Sequence, residues 1–188
     1  MPNNNDPFEP FTPHFGRSEY NNEVELCFDK QQLLYDIGNI AYVEGDVMPT
    51  EDEHERHQVF DIAQGGNLDR VTRVMDLALD RCREMLFPYS KTPIESKEYR
   101  TDVPEERDEY VIPLNVPATV SKTTLDYIEK LIHEYLVYTV LIDWLSITDL
   151  KNPKAADNWR AKLSDIEADI VGAVRAGFGI RRRTLHPF

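Results

Sequence analysis

A pair of long amphipathic helical patterns between Ser121 and Ala176 constrains the fold more than any other feature of the sequence. The first pattern begins with Ser121 as an N-cap and later becomes apolar nearly all round, which is typical of a central, buried helix. The second begins at Asn152-Pro153, an N-cap followed by proline at the first helical position, and ends at Gly177. Because the link between the two patterns is short, we expect an antiparallel helical hairpin.

Three shorter helical patterns come before this pair, recognised by apolar residues at helical spacing. We expect Gly45 to end the first of them. Thr50 and Glu53 form a capping box at the start of the second, and Asn67 is placed to cap the third. The three predicted helices span residues 29–44, 51–64 and 68–87. The sequence therefore predicts a mainly α fold, a bundle of about five helices.

The segment 88–118 interrupts the helical pattern with recurrent prolines and a cluster of strand-forming residues. Its two halves, 94–103 and 110–116, have the composition of an irregular β-hairpin or a long extended loop. A long excursion of this kind in a helical domain is often functional. Tyr110 and Ile112 are therefore candidate partner-binding residues.

Both ends of the chain are predicted to be extended arms. Residues 1–22 contain four prolines, which disfavour a helix, and three spaced aromatic side chains that could anchor the arm on the body or on a partner: Phe8, Phe11 and Phe15. Residues 177–188 form a basic tail that is predicted to dock on another protein. Its candidate contact residues are Arg181, Arg182, Arg183, Leu185 and Phe188. The helical domain between the arms is predicted to span 23–176.

Charge and hydropathy narrow the possible functions. The net charge is −13, and an acidic body repels the phosphates of a nucleic acid that it would otherwise wrap. No apolar run approaches the roughly 18 residues of a membrane span, and the first residues do not have the pattern of a signal peptide. Cys27 and Cys82 are far apart in sequence, and we interpret both as reduced thiols.

The sequence offers little that predicts catalysis. Glu51 and His54 have a Glu-x-x-His spacing, but no second copy of that motif provides the other half of a di-metal site. Asp76 and Asp80 lie one helical turn apart among arginines, which favours surface ion pairs over a magnesium site. We therefore expect no catalytic, cofactor or metal site, and a protein that is not an enzyme.

The last third of the chain resembles proteins encoded by tailed phages of gut Bacteroidetes, crAss-like phages among them. The motifs that carry this resemblance are His133-Glu134-Tyr135-Leu136, Asp143-Trp144-Leu145-Ser146-Ile147, Asn158-Trp159, Arg181-Arg182-Arg183 and Leu185-His186-Pro187-Phe188. The overall layout, a small helical bundle with an extended loop and a C-terminal tail, is similar to head-tail connector or ring adaptor proteins.

This resemblance implies a structural protein of the virion neck, assembled in the cytoplasm of the host bacterium. Its partners would be further copies of itself in a closed ring of about twelve, the portal protein, and other tail or ring proteins. Genomic DNA would pass through the ring without specific binding, and no membrane would be involved. Two other classes remain open from the residues: a small all-α metal-dependent nucleotide hydrolase and a regulatory protein-binding module.

Overall fold

The computed structural model describes residues 21–48, 53–94, 107–148 and 153–179. Within these ranges the chain forms five α-helices, one short 3-10 helix and a two-stranded antiparallel sheet. This is the mainly α fold class that the sequence predicts. In chain order the elements are β1 (Asn21–Asp29), α1 (Lys30–Val47), α2 (Glu53–Phe60), the 3-10 helix (Asp61–Ala63), α3 (Leu68–Met85), β2 (Glu109–Pro117), α4 (Lys122–Thr148) and α5 (Pro153–Phe178).

The sheet differs from the predicted hairpin, because the strand paired with β2 in the described residues is β1. Leu26 lies opposite Ile112, and Phe28 lies opposite Tyr110. All four side chains are buried. The reason is the alternation of apolar and polar residues in both strands, which gives the sheet one buried face and one exposed face. The rest of the predicted partner strand, 95–103, lies outside the described residues.

Two prolines fit inside β2 because of its register. The backbone nitrogen of Lys30 donates to the carbonyl oxygen of Asp108 at 2.9 Å, which sets the alternation of hydrogen-bonded pairs along the ladder. Pro113 and Pro117, opposite Glu25 and Asn21, fall at the positions whose nitrogens point away from β1. No ladder hydrogen bond is lost at either proline.

Helix α1 begins where the sequence predicts and continues beyond the predicted end. Asp29 is the N-cap, and its Oδ1 accepts a hydrogen bond from the Gln32 backbone nitrogen at 2.7 Å. The prediction that Gly45 ends the helix was wrong. Gly45 is buried within α1 and lies against Phe60, whose ring occupies the space that a Cβ atom would need. This glycine permits a close approach of α1 to α2.

The connection from α2 to α3 also differs from the prediction. Helix α2 ends at Phe60, because the chain tightens into the 3-10 helix before the turn at Gly65-Gly66. The Asn67 side chain does not cap α3, and its Nδ2 donates instead to the carbonyl oxygen of Asp61 at 2.8 Å. The predicted capping residue Thr50 lies outside the described residues.

Helices α4 and α5 form the predicted antiparallel hairpin. The N-cap is confirmed, since Ser121 Oγ accepts a hydrogen bond from the Thr124 backbone nitrogen at 3.1 Å. Gly177, near the end of α5, lies against Thr124 in the first turn of α4, while Tyr135 in mid-helix donates to Glu167. Helix α5 continues past the predicted boundary, and its last residue, Phe178, is buried.

The core lies between the inner face of the sheet and helices α1, α3, α4 and α5. Two tryptophans form hydrogen bonds that tie α4 and α5 to the first two helices. The Trp144 indole nitrogen donates to the carbonyl oxygen of Val59 at 3.1 Å, and that of Trp159 donates to Glu44 at 3.1 Å. None of the helices in the described ranges has the length and apolar character required to cross a bilayer.

Candidate functional site

The predicted contact residues of the excursion lie in the core. Tyr110 and Ile112 are each 0% exposed, since both belong to the inward-facing set of β2. This corrects the expectation that they form part of a docking surface: a partner at the surface does not reach either side chain. The other predicted contact residues, Phe8, Phe11, Phe15, Arg181, Arg182, Arg183, Leu185 and Phe188, lie outside the described residues.

The outer edge of β2 is covered by side chains and loop from the end of α3. Arg83 donates to the carbonyl oxygen of Val111 at 2.9 Å, and the Asn115 backbone nitrogen donates to the carbonyl oxygen of Tyr89 at 2.8 Å. Pro113 has no N–H to offer at the same edge. This covering blocks the addition of another strand at β2.

A groove lies between the exposed face of the sheet and the segment that follows α3. We call it the sheet groove. It has a volume of about 250 Å3 and exposes carboxylates on the side of β1. The residues that define it are Glu23, Glu25, Tyr89, Lys91, Pro93 and Pro113. Its walls combine apolar groups with two carboxylates and one lysine, and this net negative charge suits an extended peptide with basic and apolar side chains.

The sheet around this groove is strongly acidic. Partial loss of solvent around the exposed Cys27 thiol raises its pKa, and the nearby carboxylates Glu109, Glu25 and Glu129 raise it further. Within the described parts of the chain, none of these three carboxylates, nor Glu23, has an ion-pair partner. The sheet therefore presents an excess of negative charge, since Lys91 is the one cation among the residues that line the groove.

The end of α5 lies beside the sheet groove. The Tyr89 hydroxyl donates to the carbonyl oxygen of Phe178 at 2.8 Å, and the two rings meet edge-to-face with their centroids 4.8 Å apart. Tyr89 also lines the groove. Phe178, at the end of α5, therefore contacts a residue that lines the sheet groove.

A second candidate surface is an apolar stretch on α1. Tyr35, Tyr42, Val43 and Val47 are 57–67% exposed, although the opposite side of the same helix is buried. Tyr35, Asn39, Tyr42 and Val43 occupy one side of the helix and carry no charge themselves, and the exposed carboxylate of Asp46 borders them one turn further on. We call these four residues the α1 face. The ring of Tyr42 is held by stacking on Phe60, with centroids 4.9 Å apart.

The third candidate surface is a depression that α3 forms with α4 and α5. Its larger part has a volume of about 450 Å3 and is lined mainly by apolar atoms, Leu77 and Tyr135 among them. Arg81 crosses it toward Glu167 at 3.6 Å. Burial, with a contribution from Glu167, raises the pKa of Tyr135 to about 12, so this hydroxyl is neutral at physiological pH.

The carboxylates that could have bound a metal are dispersed or paired. Asp80 forms an ion pair with Arg83 at 2.9 Å, as the helical spacing predicts. His54 is exposed and lies 3.2 Å from Gln58, while Glu51 lies outside the described residues. Among the residues that the structure describes, no three His, Cys, Asp or Glu side chains are grouped to hold a metal ion.

Comparisons with known proteins give no match: no protein-family profile, no curated protein and no solved structure is similar to the chain. The candidate site is therefore defined by the surfaces themselves. The α1 face is an uncharged patch on an acidic molecule, and the sheet groove is an acidic channel beside the end of α5. Both arrangements are suited to binding protein. The alternation of Glu23, Glu25 and Cys27 with buried residues was the sequence signal for β1, and the sequence interpretation missed it.

Proposed function

We propose that the protein is a structural subunit that assembles with copies of itself, and that its assembly is a head-tail connector or adaptor ring between the portal and the tail of a phage. The observation that carries the proposal is the α1 face. A chain with a net charge of −13 has few surfaces through which like-charged copies can meet. This face is one of them, because its four residues carry no charge and three of them expose large tyrosine or valine side chains.

The α1 face serves as one side of a contact between neighbouring copies. Tyrosine is enriched at protein interfaces, because its ring buries a large apolar area while its hydroxyl remains able to form hydrogen bonds. Tyr35 and Tyr42 are seven residues apart, so they lie two turns apart on the same side of α1. A contact of this helix with a different surface of the next copy repeats around an axis, and it closes into a ring when the rotation between copies is a whole fraction of a full turn.

The acidic exterior is consistent with a ring through which DNA passes. Carboxylates such as Glu23, Glu25 and Glu109 repel phosphates, so they do not retain the nucleic acid on the wall. The phage setting itself is supported by the resemblance of the C-terminal third, from His133 to Phe188. In that setting the portal and further tail or ring proteins are the neighbours of the assembly.

The contact at the α1 face is tested by adding charge to it. In the double variant, Val43→Asp with Tyr35→Asp places two carboxylates on the face. Tyr127→Asp with Ile147→Asp, at two exposed positions on α4, is the matched control. We expect light scattering over a range of concentrations to show assembly for the natural protein and the control, and monomers for the double variant. Assembly of the double variant at unchanged concentration would refute this contact.

The fold of the variants needs a separate measurement. Substitutions at exposed positions change the free energy of unfolding by only about 0.5 kcal/mol, so all three proteins should unfold at similar urea concentrations. A double variant that no longer assembles but remains as stable as the natural protein would show that the α1 face forms the contact. The phage setting is tested independently, by asking whether the protein is a component of purified particles.

A further inference from the structure

We propose that the sheet groove binds the C-terminal segment of the same chain, residues 180–188. This inference goes beyond the proposed function and does not depend on it. The groove, its charge and its distance from the end of α5 each point to this occupant.

The groove has the chemistry of a site for a basic, partly apolar peptide. Glu23 and Glu25 are exposed on its β1 side and have no ion-pair partner among the described residues. Pro93 and Pro113 provide apolar walls. Residues 180–188 contain three arginines, no acidic side chain, and three large apolar side chains, those of Ile180, Leu185 and Phe188.

Charge distinguishes this segment from the other two that border the groove. Residues 1–20 precede β1 and contain three acidic residues and one arginine. Residues 95–106 follow the segment at Pro93 and contain five acidic and two basic residues. Both are net negative, so the carboxylates of the groove repel them, whereas residues 180–188 are attracted.

The segment is long enough to reach the groove from its own helix. The hydrogen bond and ring contact between Tyr89 and Phe178 place the end of α5 against a residue that lines the groove. Nine extended residues span at most about 30 Å. Because the tether is short, the effective concentration of the segment at this groove is in the millimolar range, which favours the same chain over a neighbour.

In this arrangement the arginines at 181–183 already contact the groove carboxylates when a partner protein arrives. A partner that binds residues 181–183 must compete with Glu23 and Glu25 for them. The apolar side chains contribute as well, since exposed charge pairs alone are weak.

A disulfide trap in the full-length chain tests this proposal. Cys27 is exposed on the same face of β1 as Glu25, and Cys82 is buried. In a Thr184→Cys variant, mild oxidation near pH 9 should join the introduced thiol to Cys27 within one chain. The product is an internally linked monomer, identified by peptide mapping after digestion. We expect high salt to slow the reaction severalfold, because the attraction between arginine and carboxylate is screened.

Two further variants separate docking from random collision. Glu23→Gln should slow the reaction severalfold, and it leaves in place the carboxylates that raise the pKa of the Cys27 thiol. A matched control moves the target thiol to Leu77→Cys in a Cys27→Ser background, and it should form the link much more slowly. A disulfide-linked dimer as the main product would overturn the proposal, because the segment would then come from a neighbour. Equal rates in the glutamine variant or in the Leu77→Cys control would also overturn it.

Discussion

The Tyr89 hydroxyl donates to the carbonyl oxygen of Phe178 at 2.8 Å, and the two aromatic rings pack edge-to-face. This contact joins the end of α5 to the segment that leads from α3 toward the sheet. Phe178 is 1% exposed, so the helical domain continues past Ala176, where the sequence predicts its end. A truncation intended to remove only the tail must therefore follow Gly179.

Truncation at two positions tests this boundary. Removal of residues 180–188 should leave the free energy of unfolding nearly unchanged, apart from any contribution of the proposed contact with the sheet groove. Removal from Gly177 onward should cost about 3–5 kcal/mol, because the buried Phe178 ring is lost. Urea unfolding followed by circular dichroism measures both. Equal stability of the two truncated proteins would contradict the placement of Phe178 in the core.

Glycine substitutions test the close approach of α1 to α2. Gly45→Ala should destabilise the protein by about 1–3 kcal/mol, because the added methyl group collides with the Phe60 ring. The control is Gly172→Ala in α5, where nothing lies within 4 Å of the added atom. That substitution should stabilise the protein by about 0.5–1 kcal/mol through helix propensity. A stabilising effect at both positions would show that Phe60 is not in contact with Gly45.

The buried tyrosines predict a loss of stability at high pH. Burial is the main cause that raises the pKa of Tyr110 to about 12, against about 10 in an unfolded chain. Below pH 10 the hydroxyl is protonated in both states, so its contribution is fully present. Between about pH 10 and pH 12 the unfolded chain ionises first, and the free energy of unfolding falls.

Tyr110→Phe isolates this contribution from the other groups that titrate at high pH. We expect the stability of the natural protein, relative to the variant, to decrease by at most about 3 kcal/mol between pH 9 and pH 12. Urea unfolding at several pH values provides the comparison. A difference between the two proteins that stays constant with pH would show that Tyr110 is not shielded from solvent.

The excursion 88–118 should respond differently to two internal changes. Deletion of residues 94–112 should unfold the protein, since it removes the buried side chains of Tyr110 and Ile112 from β2. Replacement of 95–106 by a Gly-Ser linker of the same length should leave the helical circular dichroism signal intact. We expect this second variant to assemble poorly, because the segment that the linker replaces, 95–106, is predicted to contact other chains. Normal assembly of this variant would show that residues 95–106 do not contact other chains.

The sequence predicts the long helices well, because their signals are local. Ser121 caps α4 as expected, and the apolar spacing of α3 gives buried positions at Val71, Met75 and Cys82. Local rules failed where a distant residue decides the structure. Gly45 has the character of a helix end, yet it is buried within α1 because Phe60 packs against it.

The strand β2 was predicted but its partner β1 was missed, since strand pairing depends on contacts between residues far apart in the chain. Leu26 and Ile112 are neighbours across the sheet although 86 positions separate them. The apolar alternation from Val24 to Phe28 was present in the sequence, but it was short and adjacent to the predicted arm. The candidate surfaces depend on such contacts too, because the exposure of Tyr35 and the proximity of Tyr89 to Phe178 follow from tertiary packing.

The central claim is that the protein functions as an assembled subunit, and the mass of the assembly tests it most directly. One chain has a mass of 21.8 kDa. Light scattering should be measured on the purified protein over a range of concentrations, alone and after incubation with portal-bearing phage particles, together with the protein content of those particles. The account predicts a discrete multiple of the chain mass and stable incorporation into the particles. A protein that stays at 21.8 kDa under every condition and is absent from the particles would contradict it.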